Sequence, residues 1–125
     1  MTKTVTLLKK IYNQMSDDIE AIRASGEVAP DGVNIVPYLV TRNGSVYEYY
    51  KLVAPEPIFE GKNGKKTKTK HLGASYSQKY REAELPIARR KAIKILETEQ
   101  AQICWMRKQP WQFIEDVKRS RKLEK

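Results

Sequence analysis

The chain has 125 residues, a length that corresponds to about one domain. Its 24 lysine and arginine residues outnumber its 15 acidic residues, which gives a formal net charge of +9. Hydrophobic residues make up 40% of the chain and charged residues 31%, a balance that excludes both a disordered chain and a membrane-embedded protein. No apolar run approaches the roughly 18–20 residues that a membrane-spanning helix needs, so we expect no membrane contact.

The first five residues, the single cysteine and the single histidine indicate the cellular compartment and the scope for a metal site. Residues 1–5 have neither a long apolar core nor a small-residue cleavage site, so we expect no signal peptide. Cys104 is the single cysteine, and one thiol cannot form an internal disulfide, which predicts a reduced, cytoplasmic protein. Because there is also a single histidine, the sequence offers little material for a zinc site, and we expect neither a metal nor a cofactor.

The positive charge is concentrated in the second half of the chain. Residues 1–60 carry six basic and eight acidic groups, a net charge of −2, whereas residues 61–125 carry 18 basic and seven acidic groups, a net charge of +11. Clustered cations attract polyanions, so the second half predicts a nucleic-acid partner. The alternatives are a solvated basic surface without a partner, and an acidic protein or lipid as the partner.

An amphipathic helix is predicted over residues 1–26. Apolar residues recur there at every third or fourth position, which places them on one face of a helix. Ser25-Gly26 provides a stop, because glycine tolerates the left-handed conformation at a helix end. The apolar face can pack on the rest of the domain, on a second copy of the chain or on a protein partner. Its residues are Leu8, Ile11, Met15, Ile19 and Ile22.

The strongest local signal is Asn43-Gly44, which lies between two segments rich in Val, Ile, Leu and Tyr, residues 34–42 and 45–53. Asn-Gly is typical of a two-residue type I′ turn, because both turn residues need a positive φ. We therefore predict a β-hairpin in which Arg42 pairs with Ser45. A proline within the first strand predicts that this strand lies at an edge of its sheet.

This register predicts two different faces for the hairpin. The aliphatic face, which we expect to lie against the core, carries Ile35, Pro37, Leu39, Val46, Glu48, Tyr50 and Leu52. The aromatic and basic face carries Val36, Tyr38, Val40, Arg42, Tyr47, Tyr49, Lys51 and Val53. The tyrosines of the second face either pack beneath a flanking helix or stack on nucleobases.

A third strand, antiparallel to the second, is predicted over residues 65–72, where lysine alternates with threonine. The alternative is a disordered basic loop. Prolines and glycines over residues 54–64 predict a connection with a short extended piece at Ile58-Phe59. Leu72 has the same parity as Lys66, Lys68 and Lys70, so if Leu72 faces the core these lysines face away from it only with a bulge.

Two helices are predicted after a polar linker over residues 73–84. The first begins at Leu85, with Pro86 in its first turn, where a missing N–H costs least. Basic residues crowd the first half of this helix against the helix dipole, which indicates that they serve another purpose. Gln109-Pro110 ends the helix, and Trp111 begins a short last helix that leads into a basic, frayed tail from Lys118. The apolar stripe of the first helix is Leu85, Ala88, Ala92, Ile95, Leu96, Ile103 and Met106.

The order of these elements defines the fold class. Strands and helices are segregated along the chain, so we predict an α+β fold with an N-terminal helix, a three-stranded antiparallel sheet and two C-terminal helices. These parts occupy residues 1–26, 33–73 and 85–122 of a single domain over residues 1–125.

The stretch from the hairpin to the second helix resembles a known DNA-binding unit. It has two strands around Asn43-Gly44, a third strand that ends at Lys70-His71-Leu72-Gly73, and a helix with Ala88 and Ala92. This order is similar to the DNA-binding domain of AP2-type plant transcription factors and to the arm-binding domain of tyrosine recombinases and related mobile-element integrases. The resemblance implies a protein of a mobile element or phage whose sheet face, opposite the helix, enters the DNA major groove. That face would carry Arg42, Tyr47, Tyr49 and Lys51.

Catalysis is not expected. Asp17, Asp18 and Glu20 fall within one and a half turns of the first helix, and nothing distant joins them, so they indicate a solvated face. A tyrosine nucleophile would need several Arg and His groups around the phosphate, and His71 is the single histidine. We predict that His71 lies at the edge of the sheet and that Cys104 is a buried, structural thiol.

These features predict a non-catalytic nucleic-acid-binding protein, with duplex DNA as the favoured partner. Phosphate contacts would come from Lys62, Lys65, Lys66, Lys68, Lys70, Arg89, Arg90, Lys91 and Lys94. Base contacts would come from Arg42, Tyr47, Tyr49 and Lys51. The alternatives are an RNA-binding component of a ribonucleoprotein, and an adaptor or assembly subunit that uses its N-terminal helix, with Trp105 and Trp111 as a further partner surface.

Overall fold

The structure, a computed structural model, describes residues 3–106 and 112–123. In chain order the elements are α1 (Lys3–Ser25), β1 (Asn34–Arg42), β2 (Ser45–Val53), β3 (Phe59–Glu60), a 3₁₀ turn (Lys62–Gly64), β4 (Lys66–Thr67), β5 (Thr69–Gly73), α2 (Gln78–Met106) and α3 (Gln112–Leu123). The predicted α+β class, with an N-terminal helix, a three-stranded antiparallel sheet and C-terminal helices, is confirmed. A second, two-stranded sheet was not predicted. The helix break at Gln109-Pro110 and the Trp111 surface lie outside the described residues.

The chain forms two compact units. The sheet unit, residues 26–91, contains both sheets and the first half of α2. The helical unit, residues 1–25 with 92–125, contains α1, the second half of α2 and α3. No helix in the described part of the chain is both long and apolar enough to cross a membrane.

The hairpin has the predicted register, with Arg42 opposite Ser45 and Tyr38 opposite Tyr49. Asn43 and Gly44 have φ values of 49° and 78°, as a type I′ turn requires. The strand order β1-β2-β5 puts β1 at an edge, where Pro37 removes a backbone N–H at little cost.

The predicted third strand is divided between the two sheets. β5 pairs with β2, whereas β4 pairs with β3 in the two-stranded sheet. Between them, the Lys68 carbonyl accepts a hydrogen bond from the Ala54 N–H at 2.9 Å. Lys51 and Tyr50 of β2 pair with His71 and Gly73 of β5. Leu72 has no partner between them, so it is the extra residue of a β-bulge.

Helix α2 begins at Gln78, within the segment that was predicted to be a linker. The hydroxyl of Ser77 accepts a hydrogen bond from the Tyr80 N–H at 3.2 Å, which is the geometry of a helix N-cap. Pro86 therefore lies inside the helix instead of in its first turn. The carbonyl of Pro86 accepts a hydrogen bond from the Ala29 N–H at 3.0 Å, which ties the loop before β1 to α2.

The core of the sheet unit lies between the main sheet and the first half of α2. Its buried residues are Ala29, Val33, Leu52, Ala54, Leu72 and Ile87. The predicted stripe of α2 is wrong at Leu85 and Ile95, which are 57% and 60% exposed, and at Ala88 and Met106, which are exposed as well. Ile87 and Ile93 are buried in their place.

In the helical unit, α1 packs beside the second half of α2. The amide nitrogen of Gln100 donates hydrogen bonds to the Tyr12 carbonyl at 3.1 Å and to the Ser16 hydroxyl at 2.7 Å. Ile103 is buried here, whereas Cys104 is exposed, so the prediction of a buried thiol is wrong. Neighbouring residues of a helix point in directions about 100° apart, so Cys104 lies off the buried stripe that contains Ile103.

The apolar stripe of α1 is only partly covered. Leu8, Met15, Ile19 and Ile22 are half-buried, and Ile11 is exposed. Helix α3 continues to Leu123, through the first part of the segment that was predicted to be a frayed tail.

Candidate nucleic-acid interface

One face of the main sheet combines aromatic and basic side chains. We call it the tyrosine face, and it consists of Tyr38, Arg42, Tyr47, Tyr49, Lys51 and His71. Alternate residues of a strand point to the same side of a sheet, and paired residues of antiparallel strands share a side. The confirmed hairpin register therefore brings the β1 and β2 members together, and the pairing of Lys51 with His71 adds the β5 member.

The aromatic rings of this face form a connected group. The ring centroids of Tyr47 and Tyr49 are 6.5 Å apart with an interplanar angle of 23°. Tyr38 lies 6.0 Å from Tyr49 and 5.5 Å from the ring of His71. The Nδ1 atom of His71 is also 3.1 Å from the Tyr38 hydroxyl, so β5 holds the edge-strand tyrosine in place.

The tyrosine face carries no acidic residue of the main sheet. Glu48 is the single acidic residue in strands 34–42, 45–53 and 69–73, and it lies on the side opposite the tyrosine face. On the tyrosine face, the Nζ atom of Lys51 is 5.6 Å from the centroid of the Tyr38 ring, which is a cation–π distance. Arg42 is exposed beside the turn. A polyanion that approaches this face therefore meets cations and π systems without a sheet carboxylate.

An open cavity of about 330 Å³ lies in the tyrosine face. It is lined by Tyr38, Val40, Arg42, Tyr49, His71, Leu72, Gly73 and Lys79. Lys79 belongs to the first turn of α2 and adds a third cation to the surface. The volume is at the lower end of the range for small-ligand sites, which begins at about 300 Å³.

The opposite face supports the sheet and holds its carboxylate away from the tyrosine face. The hydroxyl of Tyr50 donates a hydrogen bond to Glu48 at 3.0 Å. This bond, together with burial, raises the pKa of the Tyr50 phenol above its ordinary value. Tyr50 packs edge-on against Tyr80 of α2, and burial, followed by the nearby Glu84, raises the pKa of the Tyr80 phenol as well. Both phenols therefore stay neutral to a higher pH than an ordinary tyrosine does.

The predicted phosphate-binding lysines of residues 62–70 do not share one surface. Lys70 pairs with Leu52 and lines a groove on the core side of the sheet, so it does not lie on the tyrosine face. Lys66 is 4.0 Å from Glu60 across the small sheet, an exposed ion pair that contributes little to stability. The side chains of Lys62, Lys65 and Lys68 are exposed.

The predicted phosphate-binding cations of α2 fall into two groups. The guanidinium of Arg90 donates hydrogen bonds to the Pro30 carbonyl at 2.6 Å, the Val33 carbonyl at 2.7 Å and the Asn34 side chain at 3.0 Å. Arg89 donates to the Glu27 carbonyl at 3.1 Å. These two arginines hold the loop before β1. Lys91 and Lys94 are exposed instead.

Two residues that line the cavity, His71 and Lys79, were not predicted as site residues. His71 was placed at the edge of the sheet, and Lys79 was assigned to the linker before the second helix. The strand pairing of Lys51 with His71 depends on the bulge at Leu72. The alternation of side chains along a single strand does not show where a bulge occurs. Lys79 depends on the helix start at Gln78, and Ser77 was the available signal for it.

Comparison with known proteins found no relative: no family model, no curated protein and no solved structure matches this chain. The function of the chain therefore has to be inferred from the chemistry of its own residues.

Proposed function

We propose that the protein is a non-catalytic nucleic-acid-binding protein, with duplex DNA as its favoured partner and the tyrosine face as its base-contacting surface. The observation that supports this most directly is an open cavity lined by Tyr38, Tyr49, Arg42 and Lys79, on a sheet face that also carries Tyr47 and Lys51 and no carboxylate. Arginine and lysine can donate to base edges, and tyrosine offers both a ring and a hydroxyl.

Affinity in this proposal comes from phosphate contacts and selectivity from the tyrosine face. The sheet unit alone carries twelve basic and seven acidic residues, a net charge of +5. Exposed lysines of the connection, Lys62, Lys65 and Lys68, supply cations for phosphates. Such contacts position a protein on nucleic acid but carry no sequence information.

An RNA-binding role is the second candidate. It is favoured by Tyr47, which is 45% exposed on the sheet surface, since sheet-borne aromatic rings often stack on the bases of single-stranded RNA. Competition between duplex DNA, single-stranded DNA and RNA of the same sequence separates the two candidates. Duplex DNA is expected to compete most strongly.

Substitution of Arg42 tests the proposed surface. We expect Arg42→Ala to weaken binding to a labelled duplex that the protein selects from a random-sequence pool by about 1–3 kcal/mol, because a base-contacting arginine is lost. Fluorescence anisotropy at fixed salt measures the change. Arg23→Ala is the matched control, because Arg23 is an exposed arginine in the last turn of α1 and lies outside the sheet. Equal affinities for the two variants would contradict the assignment of the tyrosine face.

A further inference from the structure

We propose that the groove on the core side of the main sheet binds a small apolar carboxylic acid, and that this ligand weakens nucleic-acid binding because it competes for Lys79. The binding of the ligand is argued from the groove alone, whereas its effect on nucleic acid rests on the proposed function.

The groove has the size and the lining of a small-molecule site. Its volume is about 420 Å³, within the range of about 300–1,000 Å³ that such sites occupy. All of its lining residues belong to the sheet unit. They include Val33, Leu52 and Ile87, which are buried members of the core, so the groove extends from the surface to the core.

The apolar part of the groove continues onto the surface at the start of the small sheet. Ile58 and Phe59 both line the groove, and Ile58 is 43% exposed there, whereas Phe59 is half-buried. Removal of apolar surface from water is favourable. A ligand with an apolar body therefore gains affinity from contact with both side chains.

The charged residues of the groove determine which polar group the ligand carries. Glu27, Lys70, Lys79 and Glu82 line it, and the Glu82 carboxylate already accepts a hydrogen bond from the Gln78 side chain at 3.0 Å. Within the described residues, neither lysine has an ion pair or a hydrogen bond. Two such ammonium groups beside an apolar surface are complementary to a carboxylate. The Glu27 carboxylate disfavours a second negative charge, which favours a monocarboxylate.

Lys79 connects the groove with the tyrosine face. It lies in the first turn of α2 and lines both the groove and the open cavity of the tyrosine face. Its ammonium can meet a ligand carboxylate in the groove or a nucleic-acid phosphate at the tyrosine face. A ligand that engages Lys79 therefore lowers the affinity for nucleic acid, and nucleic acid lowers the affinity for the ligand by the same factor.

Titration calorimetry with octanoate tests the groove, and 1-octanol and octylammonium are the neutral and the positive counterparts with the same apolar chain. We expect octanoate to bind as one molecule per chain and about 10-fold or more tightly than either counterpart, because a hydrogen bond to a charged group contributes about that factor. Ile58→Asp should abolish octanoate binding, because it removes apolar surface and adds a negative charge. Ile95→Asp is the matched control, since Ile95 is 60% exposed in the helical unit, and it should bind octanoate normally.

Fluorescence anisotropy of a labelled duplex tests the competition for Lys79. We expect saturating octanoate to weaken duplex binding by about 5-fold or more, relative to an equal concentration of acetate, which matches the ionic strength without the apolar chain. In Lys79→Ala, octanoate at a concentration that saturates the variant should leave duplex affinity unchanged. Lys9→Ala, which removes an exposed lysine of α1, should retain the octanoate effect.

The outcomes separate the groove from the proposed function. Failure of octanoate to bind, or equal binding by Ile58→Asp, would overturn the groove and leave the proposed function standing. Equal binding of the three eight-carbon compounds would overturn the carboxylate assignment, and octanoate binding without an effect on duplex affinity would overturn the competition for Lys79. Absence of duplex binding with and without octanoate would overturn the proposed function, and the calorimetry would still decide on the groove.

Discussion

Arg90 shows how a cation that attracts attention in the sequence can serve the fold. Its planar guanidinium meets two loop carbonyls and the Asn34 side chain at 2.6–3.0 Å. Lysine cannot reproduce this arrangement, because it carries a single nitrogen. The phosphate contact of Arg90 stays a prediction, and the guanidinium already has three partners within the protein.

Replacement of Arg90 should therefore destabilise the protein. We expect Arg90→Ala to lower the free energy of unfolding by about 1.5–3 kcal/mol, the range for hydrogen bonds to a charged group. Urea titration followed by circular dichroism measures the change. Lys91→Ala is the control, since Lys91 is the exposed neighbour, and its substitution should stay within about 0.5 kcal/mol. Equal stabilities of the two variants would show that the loop does not depend on the guanidinium.

The same residue explains why the buried stripe of α2 was not recognised from the sequence. The inward-facing positions of its first half include Tyr80, Ala83, Ile87 and Arg90. A search for apolar periodicity passes over an arginine and follows Leu85 and Ala88 instead. Leu85 is 57% exposed. A half-buried arginine that binds loop carbonyls leaves no apolar mark in the sequence, so this part of the core could not be predicted from periodicity.

Among the elements, the hairpin was predictable because its chemistry is local. Asn43-Gly44 determines the turn, the turn determines the register, and the register determines which side chains share a face. The members of the tyrosine face on β1 and β2 follow directly from that chain of consequences. The β5 member does not, because the bulge at Leu72 arises from pairing with a distant strand.

The second sheet contains another Asn-Gly turn, from which the pairing of β3 with β4 was not predicted. Asn63-Gly64 lies between β3 and β4, and both residues have positive φ, 64° and 72°. The turn is closed by a hydrogen bond from the Gly61 N–H to the Lys65 carbonyl at 2.8 Å. The flanking strands have only two residues each, so they lack the alternating pattern that identified the first hairpin.

The hairpin also yields a stability prediction on its core-facing side. Leu39 and Leu52 lie on the same side of the sheet, but Leu52 is 8% exposed and Leu39 is 69% exposed. We expect Leu52→Ala to lower the free energy of unfolding by about 2–5 kcal/mol, because a buried leucine leaves a cavity.

Leu39→Ala is the comparison for that prediction, and it should stay within about 0.5 kcal/mol of the original protein. Thermal or urea denaturation of the two variants under identical conditions gives the difference. Similar losses for both would mean that the aliphatic side of the hairpin is covered along its whole length.

For the whole molecule, the two compact units have similar net charges, although the two halves of the sequence do not. The first half of the chain carries −2 and the second half +11, but the sheet unit carries +5 and the helical unit +4. The units draw residues from both halves, because the helical unit is built from the two ends of the chain. The separation of charge that matters for the proposed function lies within the sheet, where Glu48 is on the face opposite Arg42 and Lys51.

The salt dependence of duplex binding tests the central claim, that this basic protein binds nucleic acid through its cations, most directly. The logarithm of the binding constant should fall linearly with the logarithm of salt concentration, by about 0.9 per phosphate contact. With at least four contacts from the exposed lysines, we expect a slope of about −3.6 or steeper between roughly 50 and 200 mM salt. Micromolar or weaker binding with no dependence on salt would contradict the account.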